Sequence, residues 1–183
     1  TELGVFADFQ PKIPAQFRDS RYVFLGNIHP QLQHDVLDQV ESPEVVACDT
    51  MNYWIEGSRE PLVSLLERVR ILMVNDEEAR QLAGEPNLLK AARWIRERGP
   101  EIVIVKKGEH GAVLFTASGV VALPAYPTGR VVDPTGAGDS FAGALMGSLA
   151  RDGSVDEERL KVAIAYGSVV ASFTCEGFGT VRL

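Results

Sequence analysis

Residues 133–143 read Asp-Pro-Thr-Gly-Ala-Gly-Asp-Ser-Phe-Ala-Gly, and an apolar run follows them directly. Small residues at Gly136, Ala137 and Gly138 let the backbone turn tightly and approach a ligand closely. The run that begins at Phe141 predicts a helix, whose free N–H groups would point back into the turn. Because a helix N-terminus carries partial positive charge, the stretch predicts a cradle for the phosphate groups of a nucleotide.

Asp139 is an unusual residue for such a cradle. A carboxylate repels a phosphate unless a cation lies between them or the acid is there to accept a proton from an attacking hydroxyl. One interpretation is therefore that Asp139 is a general base. The other is that Asp139 is an ordinary capping or first-turn acid, which stabilises a helix by about 1 kcal/mol. The residues of the turn leave both interpretations open.

Upstream of the turn, four short apolar runs have the length and the β-branching of buried parallel strands. These runs cover residues 22–25, 45–48, 71–74 and 102–105. Two further runs, 112–116 and 120–123, predict a hairpin. Apolar residues at three- and four-residue spacing predict helices over 32–40, 61–69, 77–83, 88–98, 137–150 and 156–172.

Repeated strand–helix units predict a three-layer α/β/α fold, with a doubly wound, mostly parallel sheet and helices on both of its faces. We expect a single domain over residues 1–183, and residues 1–6 have the pattern of a further strand. Ligands of such sheets bind at the carboxyl ends of the strands. The phosphate cradle is therefore expected at that edge.

The amino-acid composition argues against several classes of function. The chain has 183 residues, 45% of them hydrophobic and 23% charged, and no apolar stretch approaches 18 residues, so we expect a soluble protein without a membrane span. A formal charge of −7 argues against binding to nucleic acid or to anionic membranes. Cys48 and Cys175 are far apart and predict reduced thiols in a cytoplasmic protein. His29, His34 and His110 lack metal-ligand spacing and are expected at the surface or in turns.

The turn around Asp139 resembles, almost letter for letter, the second signature of the ribokinase-like (PfkB family) carbohydrate kinases. Three upstream segments are similar to other elements of that family and occur in the same order. They are Asp49-Thr-Met-Asn-Tyr-Trp54, Asn75-Asp-Glu-Glu78 and Val105-Lys-Lys-Gly-Glu-His-Gly111. The resemblance is strong from residue 71 to residue 183 and weaker from residue 22 to residue 70.

This resemblance implies an ATP-dependent phosphotransferase that acts on a hydroxyl group of a sugar or sugar-like molecule. Asp139 would be its general base, and Gly136, Ala137 and Gly138 would form its anion hole. A nucleoside or vitamin-precursor kinase is the alternative within the class. The family places much of its acceptor surface in an N-terminal segment that has no match here, so the chain is expected to lack that part. A nucleotide-binding module without catalysis is therefore a third hypothesis. We also expect a homodimer.

The resemblance also assigns nucleotide and metal contacts. It implies that Asn75 approaches the phosphates and that Glu78 organises a hydrated Mg²⁺, although an Asn followed three residues later by Glu is also the sequence of a helix capping box. Further nucleotide contacts are expected from Lys106, Gly108, Gly111 and Thr135. The family often has a hydroxyl residue at the position of Lys106, and a lysine there is also typical of a solvated strand end.

A monovalent-cation site is a further implication of the resemblance. It would consist of Asp133 and the late loop Glu176-Gly-Phe-Gly179, and would hold K⁺. A hydrogen-bonded turn explains Asp133 equally well. The small residues Ala163, Ala165 and Gly167 of the last predicted helix leave a similar choice, between an approach of adenine and close packing of two helices.

Overall fold

The computed structural model of the chain describes residues 8–183. Its strands are β1 Tyr22–Leu25, β2 Val45–Asp49, β3 Ile71–Asn75, β4 Ile102–Lys106, β5 Ala112–Phe115 and β6 Val120–Leu123. Its α-helices are α1 Pro30–Leu37, α2 Asn52–Gly57, α3 Arg59–Leu66, α4 Asp76–Ala83, α5 Leu88–Arg96, α6 Ala137–Asp152 and α7 Glu157–Cys175. The strand predicted over residues 1–6 lies outside the described residues.

The six strands form one sheet in the order β1-β2-β3-β4-β5-β6. Strands β1 to β4 are parallel, and β5 and β6 form an antiparallel hairpin at one edge. The six strands predicted between residues 22 and 123 are all confirmed. The register pairs Asn75 at the end of β3 with Lys106 at the end of β4, so these two polar residues lie level at the carboxyl edge of the sheet.

Helices cover both faces of the sheet, which confirms the three-layer prediction. Alternate residues of a strand point to opposite faces. In β2, Val46 and Cys48 belong to the core beneath α1 to α5, whereas Val45 and Ala47 belong to the core beneath α6 and α7. The carboxyl ends of the parallel strands therefore meet the N-terminus of α6 on the second face.

The helix predictions hold except at a few boundaries. α1 begins at Pro30, two residues before the predicted start, and the imidazole Nδ1 of His29 accepts a hydrogen bond from the N–H of Gln31 at 3.0 Å as its cap. The prediction missed α2, because six residues are too few to show helical periodicity. α7 extends to Cys175, three residues past its predicted end, and this extra turn contributes to the candidate site.

Two further findings concern the surface. Within residues 8–183, β1 pairs with a strand on one side only, its partner being β2. No helix in this range is long and apolar enough to cross a bilayer.

Candidate active site

A cavity of about 800 Å³ lies at the carboxyl ends of β3 and β4. Asn75, Lys106 and Gly108 line it on the sheet side, and Ala137 and Gly138 line it from the first turn of α6. The rest of its wall comes from the irregular segment 125–134 and from one side of α7. The structure therefore brings together residues from three separate parts of the sequence that were all predicted to contact a nucleotide.

The predicted cradle is the N-terminal turn of α6. Gly136 is its N-cap and has φ +82°, a left-handed conformation that favours glycine. The N–H of Ala137 donates to the carbonyl of Pro134 at 3.1 Å, and the N–H of Ser140 donates to the carbonyl of Gly136 at 2.9 Å. The amides of the residues in between point to the free end of the helix, which is the arrangement that binds anions.

Asp139 lies in the first turn of α6 and is not its N-cap, so the capping half of the structural interpretation is wrong. Its side chain is exposed, and no described residue hydrogen-bonds to its carboxylate. It does not line the cavity itself, and neither do Thr135 and Gly136. The carboxylate of Asp139 is thus exposed to solvent, next in sequence to Gly138, which lines the cavity.

Asn75 and Glu78 form the capping box that their spacing predicts. The N–H of Glu78 donates to Oδ1 of Asn75 at 2.7 Å, and the N–H of Asn75 donates to Oε2 of Glu78 at 2.8 Å. Glu78 is buried, and this burial raises the pKa of its carboxyl above the usual range. The box fixes both side chains at the end of β3, where Asn75 faces the cavity while Glu78 lies behind its wall.

Asp49 is a site residue that the sequence analysis did not select. It ends β2, is only 4% exposed, and its Oδ1 has no hydrogen-bond partner among the described residues. Burial raises the pKa of its carboxyl to about 7, and the nearby carboxylates of Asp139 and Glu78 add to the rise, while Lys106 opposes it. Its position at the carboxyl end of a buried parallel strand was the available signal.

The stretch before the cradle lies against the C-terminus of α7. Oδ1 of Asp133 accepts a hydrogen bond from the N–H of Thr135 at 3.0 Å, which holds the pKa of the Asp133 carboxyl below its usual range. The N–H of Asp133 donates to the carbonyl of Cys175 at 3.2 Å. The structure therefore bonds Asp133 to the residue that precedes the late loop 176–179, and the hydrogen-bonded turn accounts for the position of Asp133.

The small residues of α7 were predicted either to let an adenine approach or to allow close helix packing, and the structure shows packing. A β-carbon on Gly167 would lie 2.9 Å from the carbonyl oxygen of Phe141, so this glycine allows α6 and α7 to pack closely. Ala163 is buried in the same core, and Ala165 lies outside the cavity. Gly111 lines the cavity, but a β-carbon there would lie 2.0 Å from the Leu123 carbonyl oxygen.

Gly108 differs from Gly111. A β-carbon built on Gly108 would meet no atom within 4 Å, and its φ is +55°. The backbone of Gly108 is thus open to the cavity, as the nucleotide-contact prediction requires.

Comparison with known proteins places this geometry in a family. Residues 13–182 match the pfkB family of carbohydrate kinases. The chain belongs to this family. A cytidine kinase of Thermococcus kodakarensis is 30% identical over 161 residues, which cover 85% of this chain and 58% of the relative. A probable fructokinase of Arabidopsis thaliana is 34% identical over 116 residues, covering 62% of this chain and 36% of the relative.

Solved structures agree with this assignment. The aminoimidazole riboside kinase of Salmonella enterica superimposes with a TM-score of 0.75 at 25% identity, covering 87% of this chain and 58% of that one. An E. coli protein assigned as a ribokinase II, in complex with ATP and Mg²⁺, gives a TM-score of 0.68 at 25% identity, covering 84% and 52%. The chain thus spans a third to just under three fifths of the length of the relatives named here.

Proposed function

We propose that this pfkB family chain carries the nucleotide-binding and phosphoryl-transfer machinery of an ATP-dependent kinase that phosphorylates a hydroxyl group of a sugar-like small molecule. The observation that carries the proposal is the cavity that unites Asn75, Lys106 and Gly108 with the N-terminal turn of α6. This cavity combines an open glycine backbone, a lysine and a helix N-terminus, which are groups suited to a polyphosphate. ATP bound to the E. coli relative supports the choice of nucleotide.

In this proposal, Asp139 accepts the proton of the acceptor hydroxyl as that oxygen attacks the γ-phosphoryl group. The backbone amides of Gly136 and Gly138 stabilise the charge on the transferred group, whereas the N–H of Ala137 is already bonded to the Pro134 carbonyl. Lys106, which lies beside Gly138, neutralises phosphate charge. Most of the rate acceleration comes from positioning and charge stabilisation, because phosphoryl transfer needs little covalent chemistry from the protein.

The buried carboxylates at the end of β2 and in the first turn of α4 fit a divalent cation. Oδ1 of Asp49 is buried without a hydrogen-bond partner among the described residues, and Glu78 is buried nearby with one oxygen used in the capping box. These two residues would hold a hydrated Mg²⁺, since oxygen ligands and retained waters are typical of this ion. When bound, Mg²⁺ offsets the charge of the triphosphate, which otherwise repels a nucleophile.

A potassium ion at Asp133 and the loop 176–179 stays a prediction. The Asp133 carboxylate already accepts the N–H of Thr135, and both carboxylate oxygens of Glu176 accept hydrogen bonds, from Thr128 at 3.0 Å and from Arg182 at 3.1 Å. Backbone carbonyls of the loop would have to supply most of the ligands. We therefore assign K⁺ no step in the reaction.

The chain provides the least evidence on which molecule accepts the phosphoryl group. The relatives include a cytidine kinase and a fructokinase, so a nucleoside is the alternative to a sugar, and a vitamin precursor remains a third option. Because the chain spans 58% of the cytidine kinase, a nucleotide-binding module without catalysis is the competing function. A cytoplasmic location also stays a prediction.

Two measurements separate these functions. Millimolar MgATP should raise the melting temperature, because a ligand selective for the folded state adds about 2.7 kcal/mol of stability at a hundredfold excess over Kd. Transfer of the γ-phosphate of radiolabelled ATP to a panel of sugars and nucleosides should then reveal the acceptor. Stabilisation without transfer to any acceptor would favour the module, and an unmoved melting temperature of the folded protein would refute the nucleotide site.

A further inference from the structure

Thr174 connects the last turn of α7 to the first turn of α6. Its side chain is 2% exposed, and its hydroxyl donates a hydrogen bond to the Ser140 hydroxyl oxygen at 2.7 Å. Ser140 directly follows Asp139, and its own N–H closes the first turn on the carbonyl of Gly136. The Thr174 methyl group also lies 3.8 Å from the position of a β-carbon on Gly136. One buried residue therefore bonds to the end of the candidate anion turn at Ser140 and lies beside its start at Gly136.

The neighbouring residue makes a second link. The carbonyl of Cys175 accepts hydrogen bonds from the N–H groups of Val132 at 2.7 Å and Asp133 at 3.2 Å. These residues form the segment that leads into the turn. The end of α7 thus holds the chain before Gly136 through Cys175 and the chain after Asp139 through Thr174. The turn between them is fixed from both sides by a single helix end.

We infer that Thr174 is a positioning residue for phosphoryl transfer, and this inference rests on the proposed function. The amides of an anion hole stabilise a transition state only when they are preorganised, and a small misplacement can cost a large part of the rate. Thr174 does not line the cavity, so its effect reaches the reaction through Ser140 and Gly136. Its hydroxyl sets the orientation of the turn that presents Asp139 and the amides.

The test compares Thr174→Val, which keeps the shape and removes the hydroxyl, with Thr174→Ser, which keeps the hydroxyl. We expect Thr174→Val to lower kcat roughly tenfold with little change in KM for ATP, because about one buried hydrogen bond is lost from the preorganised turn. Thr174→Ser should restore most of the rate. The matched control is Thr116→Val, which removes a hydroxyl that bonds to Ser118 in the distant hairpin, and which should leave turnover unchanged.

Amide hydrogen exchange supplies a readout that does not depend on activity. The N–H groups of Ala137 and Ser140 are bonded within the turn, and they should exchange several-fold faster in Thr174→Val but not in Thr174→Ser. Amides of Met73 and Ile104 in the core strands should keep their protection, which separates local loosening from global destabilisation. If the wild-type protein transfers no phosphate, the proposed function fails, and the exchange data still decide whether Thr174 positions the turn.

Two results would overturn the inference. One is wild-type exchange at Ala137 and Ser140 in Thr174→Val. The other is wild-type turnover in Thr174→Val together with a defect in Thr174→Ser, which would show that the methyl group beside Gly136, and not the hydroxyl, holds the turn.

Discussion

The Lys106 ammonium lies against Gly138, so closely that a β-carbon on Gly138 would be 3.1 Å from Nζ of the lysine. Lys106 ends β4 and Gly138 lies in the first turn of α6, so two sources of positive charge from different elements meet at one point of the cavity. The partial charge of a helix N-terminus is about half an elementary charge, and the lysine adds a full one. A lysine ammonium and a helix N-terminus at one point of the cavity are well suited to an anion.

Lys106→Met tests this position. The substitution keeps a side chain of similar length and removes the charge, so we expect Kd for MgATP to rise about tenfold or more, as measured by calorimetry. Lys107→Met is the matched control, because Lys107 does not line the cavity and its charge acts on Asp76 instead. Equal effects of the two substitutions would show that only net charge matters and that Lys106 does not contact phosphate.

Protection of Cys175 from alkylation can show whether the nucleotide binds in the cavity. Cys175 is a half-buried free thiol on the cavity wall. Cys48 is a fully buried free thiol in β2, and burial raises the pKa of this thiol. We expect iodoacetamide to modify Cys175 and to leave Cys48 unmodified. MgATP at a hundredfold excess over Kd should slow the modification of Cys175 roughly tenfold or more, as followed by mass spectrometry. Alkylation at the same rate with and without MgATP would mean that the nucleotide lies elsewhere.

Asp49 makes the stability depend on pH. Its carboxyl has a pKa of about 7 in the folded protein, against an ordinary value of 3.8, so the folded state holds this proton more tightly than the unfolded state. The free energy of unfolding should therefore fall as the pH rises from about 4 to about 7, by up to about 4 kcal/mol from this residue.

Asp49→Asn should flatten that decline. Urea unfolding at a series of pH values, with EDTA to remove divalent ions, measures the slope of the unfolding free energy against pH. This slope does not change if the substitution alters the stability by the same amount at every pH. Curves of the wild type and Asp49→Asn that run parallel between pH 5 and pH 8 would show that the Asp49 carboxyl is ionised throughout.

The unpaired side of β1 predicts self-association. Within residues 8–183 this strand has a partner only on its β2 side, and an open strand edge presents N–H and C=O groups that can pair with another chain. We expect the homodimer predicted from the sequence, or larger species, to increase with concentration in multi-angle light scattering. A monomer at every concentration would contradict this expectation.

The sequence predicted the strands well because each is a short apolar run, and such runs are buried on both faces of a parallel sheet. It predicted the turn because Gly136 has the left-handed backbone that favours glycine, whereas the room that Gly138 leaves for the Lys106 ammonium appears only in the structure. It did not predict Asp49 as a site residue, since the burial of a carboxylate oxygen without a hydrogen-bond partner depends on tertiary packing that the local sequence does not reveal. The link between Thr174 and Ser140 also joins residues 34 positions apart, which no local pattern reveals.

The sharpest prediction concerns Asp139→Asn in the full protein chain. Asparagine keeps the size of the side chain but cannot accept the proton, so loss of the general base should lower kcat roughly 100-fold or more. Kd for MgATP should stay the same or fall, because a negative charge near the triphosphate has been removed. Steady-state turnover with the identified acceptor and a separate ATP titration measure the two quantities.

The structural interpretation of Asp139 predicts a different result. If the residue is only a first-turn acid of α6, replacing it with Asn removes a favourable interaction with the helix dipole, which costs about 0.3–1 kcal/mol of stability and leaves turnover nearly intact. The thermal midpoint of Asp139→Asn therefore serves as the control for folding. A folded Asp139→Asn variant with wild-type kcat would exclude Asp139 as the base. No other described carboxylate lies in the first turn of α6 to replace it. Asp49 would then be the next residue to test, since the charge of Asp139 is close enough to contribute to the raised pKa of the Asp49 carboxyl.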